Sequence, residues 1–139
     1  MRKMFLALAL MVILPAIAAS STPAPSSPGA EVYFIAPADG ATVSNPVRVV
    51  FGLRGMGVAP AGVAYPNTGH HHLIIDAETP PPGQPIPADD RHRHFGGGQT
   101  ETEITLPPGR HTLQLVLGDH LHLPHEPPVV SRRIYITVQ

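Results

Sequence analysis

Eighteen prolines and thirteen glycines punctuate a chain of 139 residues. A proline inside a helix removes an amide donor and collides with the preceding turn, so a chain broken this often has little room for long helices. What lies between the breaks alternates with period two, the pattern of half-buried strands. Val32 to Ala36 is a short apolar run, and Val47, Val49, Phe51 and Leu53 share one face. His71, Leu73 and Ile75 alternate with His70, His72 and Ile74. Ile104 and Leu106 alternate with Glu101, Glu103 and Thr105. His111, Leu113, Leu115 and Leu117 form the clearest apolar face, and Ile134, Ile136 and Val138 form the last. Pro37-Ala38-Asp39-Gly40 and Pro107-Pro108-Gly109 are turn phrases between such runs. Short strands joined this way predict an all-β fold, an immunoglobulin-like antiparallel β-sandwich of six to eight strands. A closed barrel is the alternative. Two segments, Gly55 to Gly69 and Thr79 to Gln99, exceed a hairpin turn, and loops of that length in a small domain are often functional.

The beginning of the chain follows another rule. Arg2 and Lys3 precede the unbroken apolar run Met4 to Leu14, then Pro15 and Ala16-Ile17-Ala18. Residues 1–19 therefore read as a secretory signal peptide. The run is short for a membrane span of ~20 residues and no second one follows, so the mature form is expected not to span a membrane. The expected location is the periplasm, or outside the cell. Residues 20–29, rich in Pro and Ser, read as a flexible linker, and residues 30–139 as the folded domain. Beyond the signal, seven arginines face ten carboxylates. No surplus of positive charge is left to neutralise phosphates, which excludes a nucleic-acid partner. Cysteine is absent, and with it every disulfide, thiolate metal site and Cys nucleophile.

Nine histidines in so small a chain carry the chemistry. On a strand, His70 and His72 point to one side and His71 to the other. His92 and His94 repeat the spacing, as do His120 and His122, with His125 close behind. Two imidazoles at i and i+2 make a two-ligand fork for a metal on a β scaffold, and imidazole suits Cu(II), Zn(II) and Ni(II). The candidate ligands are therefore His70, His71, His72, His92, His94, His120, His122 and His125. His70 or His72 is expected to meet His94 and His122 at one end of the sandwich. Copper(II) is the first expected cofactor and zinc the second. His111, on the apolar face of its strand, reads instead as a structural histidine that satisfies a backbone group. Gly96-Gly97-Gly98 reads as a tight loop; an anion cradle is the alternative, though no Lys follows as in a phosphate loop. Gly-x-Ser-x-Gly and His-Glu-x-x-His are both missing, so no enzyme class is indicated.

Several phrases carry a resemblance. Thr68-Gly69-His70-His71-His72-Leu73-Ile74-Ile75-Asp76, His92-x-His94-Phe95-Gly96-Gly97-Gly98-Gln99-Thr100-Glu101 and Leu106-Pro107-Pro108-Gly109-x-His111-Thr112-Leu113 resemble a bacterial family of short exported domains of unknown function. Phe51-Gly52-Leu53-x-Gly55-Met56 fits the same pattern. The resemblance implies an exported, immunoglobulin-like domain, a histidine at position 122, and no particular activity. The start Pro37-x-Asp39-Gly40-Ala41 and the Leu-Pro-Pro-Gly turn are also similar to periplasmic copper-resistance carriers built on a small β-sandwich. Two functional classes follow: a periplasmic metal-binding protein, as a copper carrier or buffer, and a metal-free interaction module that docks another envelope protein.

Overall fold

The computed structural model describes residues 21–139, so the expected signal peptide lies outside the described residues. Leu113, Leu115 and Leu117, the clearest apolar face in the sequence, become the inner face of β8 (Gly109–Gly118), all with no solvent exposure. β8 lies between β5 (Thr68–Ile75) and β9 (Ile134–Val138), antiparallel to both. β2 (Thr42–Val43) extends this sheet beyond β9, while β4 (Gly57–Val58) and β6 (His92–His94) share the far edge of β5. The opposing sheet is β1 (Glu31–Ala36), β3 (Val47–Arg54) and β7 (Glu101–Ile104), in the order β1-β3-β7 and antiparallel throughout.

The fold is an all-β sandwich of two open sheets, and the barrel alternative does not form. No helix occurs among the described residues, and none is long and apolar enough to cross a membrane. The six strands read from the alternation are all present. Three further pieces of two or three residues, β2, β4 and β6, bring the described count to nine; they are too short to show a period.

Between the sheets, Val32, Val49, Phe51, Leu73, Leu115 and Ile136 belong to one core. A second, smaller apolar cluster of Ile74, Ile86 and Val116 lies on the other side of β5 and β8. It exists because the segment after Thr79 folds back: the Ile86 amide donates to the His122 carbonyl at 2.8 Å. β5 is thereby covered on both faces, and every residue after Thr68 in it is buried.

The segment read as a flexible linker is in part fastened to the domain. Pro25 bridges Glu126 in parallel, the Ser26 amide donates to the Glu126 carbonyl, and the Glu126 amide donates to the Ala24 carbonyl. Prolines hold this arm extended already, so pairing it costs less ordering entropy than pairing a free chain.

His111 is structural, as its place on the apolar face suggests, but it sits at the rim of the core. Its Nδ1 lies 2.7 Å from Asp76 Oδ2 and its Nε2 2.8 Å from the Pro107 carbonyl. Both partners are acceptors, so the ring is held as an imidazolium; the Asp76 hydrogen bond, above all, raises its pKa. Burial pushes Asp76 upward, but the hydrogen bonds from His111 and from the Thr112 amide win and hold it below its ordinary range. A raised histidine pKa stabilises fully below about pH 6.5, and the gain is lost as pH rises through the folded value. His111→Ala is expected to cost about 1–2 kcal/mol at pH 6 and clearly less at pH 9. Urea unfolding of both proteins at the two pH values checks this, and an equal loss at both would mean that the ring is neutral.

Candidate metal centre

The pleat of β5 divides its three histidines. His71 faces the inter-sheet core, its ring 5.0 Å from that of Phe51. His70 and His72 face outward, on the side of Ile74, and their rings stand 4.6 Å apart. β6 then brings a third imidazole, because the register sets His94 directly opposite His72; the ring centroids are 5.2 Å apart. His122 arrives from the loop after β8, with its ring 5.0 Å from His70 and 4.8 Å from His94. One ring nitrogen from each of His70, His94 and His122 lies within 4.8 Å of the others. His94 Nε2 and His122 Nε2 are 3.1 Å apart. Four imidazoles from two strands and a loop thus converge on the outer face of the larger sheet, near the start of β5 and the end of β8, under the covering loops.

Two glycines make the convergence possible. A Cβ on Gly118 would stand 2.6 Å from His72 Cε1, and one on Gly96 would stand 2.3 Å from His94 Cε1. Each glycine leaves the space that an imidazole occupies. The Gly96-Gly97-Gly98 run is otherwise a turn: Gly98 has φ of 84°, and its amide donates to the Phe95 carbonyl.

The electrostatics follow from burial. Neither ring nitrogen of His70 or of His72 has a hydrogen-bond partner, and both side chains are buried. Desolvation, reinforced by His94 and His122, lowers the His70 pKa from 6.5 to about 4, against an opposing pull from the Asp119 charge. Desolvation with the same neighbours and His70 lowers that of His72 to about 2. His94, more exposed, is lowered by burial and by His122. His70, His72 and His94 are thereby shifted towards the neutral form, in which imidazole offers a lone pair to a metal.

The other expected ligands do not reach it. His71 is turned away by the strand's alternation. His92 turns to Asp89, with Nδ1 2.8 Å from the carboxylate. His125 has both ring nitrogens engaged by backbone carbonyls, Leu117 at 3.2 Å and Thr68 at 3.1 Å. His120 lines a separate surface cleft with Val63, Tyr65 and Asp119. Asp119 is one of the acids near the histidines that the sequence offers to complete a shell or orient a ring. It is fully buried, and its carboxylate accepts amide hydrogen bonds from Ala24, Leu121 and Leu123. The phrase Gly118-Asp119 before a His-rich loop offered a signal for it, because an Asp side chain commonly accepts from the amides just ahead of it.

A model of the domain of unknown function DUF4399 matches residues 49–139. The chain belongs to this family. No curated protein and no solved structure matches it. The DUF4399 stretch holds all four clustered histidines, Gly96, Gly118 and Asp119, whereas the arm residue Ala24 lies before it.

His71 gives a test that separates packing from the cluster. Both of its nitrogens are buried without partners, and burial lowers its pKa to about 4. In the unfolded chain it takes a proton below about pH 6.5, so its share of stability is lost as pH falls from there towards about 4. His71→Leu, similar in volume, is expected to stabilise the protein. The gain should grow by up to about 1.4 kcal/mol per pH unit between roughly pH 6 and pH 4. Denaturation curves across that range check it, and a variant that is less stable at every pH would show that the imidazole contributes a contact that leucine cannot replace.

Proposed function

We propose that this protein is an exported metal-binding protein that holds copper(II) on His70, His94 and His122, with His72 as an adjacent fourth donor. The observation that carries this reading is the approach of one ring nitrogen from each of three histidines to within 4.8 Å, His70 among them with neither nitrogen hydrogen-bonded. His111 and His125, outside the cluster, have their ring nitrogens at carbonyls or a carboxylate instead. With metal–imidazole bonds of ~2.0–2.1 Å, the square-planar or tetragonal arrangement that copper(II) favours sets neighbouring ligand nitrogens about 2.9 Å and opposite ones about 4 Å apart, and ring rotations could bring the three nitrogens to that spacing. His72 has two unpartnered nitrogens beside His70 and His94 but lies further from His122, ring to ring 6.1 Å, so it stands next to the three rather than among them.

The donor set supports copper as the metal. Every donor is a nitrogen, and no thiolate exists in the chain to favour Cu(I). Among divalent ions such a site follows the order in which copper exceeds zinc. Buried His70 and His72 with more exposed His94 and His122 suit a carrier or buffer, in which the outer ligands can exchange. The apolar run behind Arg2 and Lys3 supports delivery to the periplasm or the outside.

Titration calorimetry and electron paramagnetic resonance with Cu(II) test the proposal. The intact protein is expected to bind one Cu(II) through nitrogen, more tightly than Zn(II). Single replacements of His70, His94 or His122 by Ala are each expected to weaken binding at least ~10-fold, on the scale of losing a metal-site contact. His92→Ala is expected to leave binding unchanged. If a variant with His70, His94 and His122 all replaced by Ala binds as the intact protein does, or if neither binds, the reading falls and a metal-free interaction module of the envelope takes its place.

A further inference from the structure

His122 is the one clustered histidine that no strand supplies. It has φ of 66°, a left-handed backbone that a side chain with a Cβ adopts at a cost. Such a conformation persists only where surrounding bonds impose it. Here the bonds converge on one residue. The Asp119 carbonyl accepts from the His122 amide at 2.9 Å, and the Asp119 amide donates to the Leu123 carbonyl at 2.8 Å. Asp119 Oδ1 accepts from the Leu121 and Leu123 amides, each at 2.9 Å, so both flanks of His122 are tied to the same oxygen. Oδ2 accepts from the Ala24 amide at 3.0 Å, across 95 positions of sequence. From the far side, the Ile86 amide holds the His122 carbonyl.

We propose that Asp119 is the positioning residue that holds the His122 ring on the imidazole cluster, and that the Ala24 amide of the N-terminal arm completes the brace. The role in metal binding rests on the copper reading above; the brace itself is a property of the metal-free fold. Asp119 does not touch the metal in this assignment. It acts through His122, and the arm, paired with Glu126, acts through Asp119. The N-terminal segment is thus a structural part of the centre although it contributes no ligand.

The test is a double-mutant cycle on the intact protein with Cu(II), together with a metal-free readout. Asp119→Ala removes all three side-chain bonds. Asp119→Asn keeps an oxygen for Leu121 and Leu123 but turns an amide group, itself a donor, towards Ala24. Ala24→Pro, between Pro23 and Pro25, deletes one N–H and nothing else of the side-chain network. Asp119→Ala is expected to weaken Cu(II) binding by about 10–100-fold and to alter the nitrogen hyperfine pattern as His122→Ala does. The Asp119→Ala/His122→Ala protein should bind no more weakly than His122→Ala alone, because both changes remove one contribution. Asp119→Asn and Ala24→Pro should fall between, with the same non-additivity. In the metal-free protein, the proton contact between the His94 and His122 rings seen by NMR should be lost in Asp119→Ala and weakened in Ala24→Pro. Should Asp119→Ala fail to fold, the Asn and Pro variants carry the same cycle. Fully additive losses, or an unchanged His94–His122 contact, overturn the brace while leaving the copper reading intact. Absence of Cu(II) binding by the intact protein overturns the copper reading, and the ring contact then decides the brace alone.

Discussion

Strand β5 is buried on both faces, and three of its buried side chains are imidazoles without hydrogen-bond partners. A buried polar group left unpaired costs about 1–3 kcal/mol, so a fold that keeps six such nitrogens has tolerated several times that amount along one strand. The rest of the structure is arranged around this load. On the inner face, His71 is surrounded by the aromatic part of the core, where Phe51 stacks on both His71 and Phe95. On the outer face, the load is concentrated: β6, the glycine turn and the loop after β8 all bring imidazole towards His70 and His72 rather than the carbonyls that would satisfy them. A metal bound there would engage the lone pairs, which explains how an arrangement unfavourable in its metal-free form can be worth keeping.

The strands were legible because their apolar faces repeat every second residue over five or more positions. Leu113, Leu115 and Leu117 admit no other reading, and the same alternation separates His71 from its neighbours before any coordinate is known. The short pieces β2, β4 and β6 were not legible as strands, since two or three residues carry no period. The grouping of His70, His94 and His122 was readable as an expectation because each belongs to a segment flanked by a long loop. Its position was not: the sandwich has two ends and two outer faces, and only the fold-back that places Ile86 against Val116 selects the outer face of β5. His92 and His125 stand apart from the cluster for a simple reason. A histidine with an acceptor close at hand turns to it, and Asp89 and the Leu117 carbonyl are such acceptors. Spacing alone cannot show an acceptor that arrives from another element.

The arm shows the same limit from the other side. Pro23-Ala24-Pro25 has the composition of a tether, and composition reports only that the segment cannot build a core of its own. It does not exclude pairing with a neighbour, since the extended backbone imposed by proline is also the backbone that lies along another chain segment. Glu126, flanked by prolines of its own, offers the matching edge. The carboxylate of Asp119 then converts a surface pairing into a connection with the buried cluster.

β8 carries two opposite treatments of histidine, one at each end. At its start, His111 is given a carboxylate and a carbonyl, and its proton is retained. At its end, opposite Gly118, His70 is given other imidazoles and apolar walls, and its proton is driven off. The chemistry of the side chain is identical, so the difference lies in what faces it. An anionic acceptor makes imidazole a cation that fixes a turn. Desolvation beside other imidazoles makes it a neutral donor. The one buried carboxylate near the cluster, Asp119, accepts from three backbone amides instead of from a clustered ring. One ring nitrogen from each of His70, His94 and His122 thus lies close to the others and none to a carboxylate, which makes the group a candidate metal centre rather than a set of ion pairs.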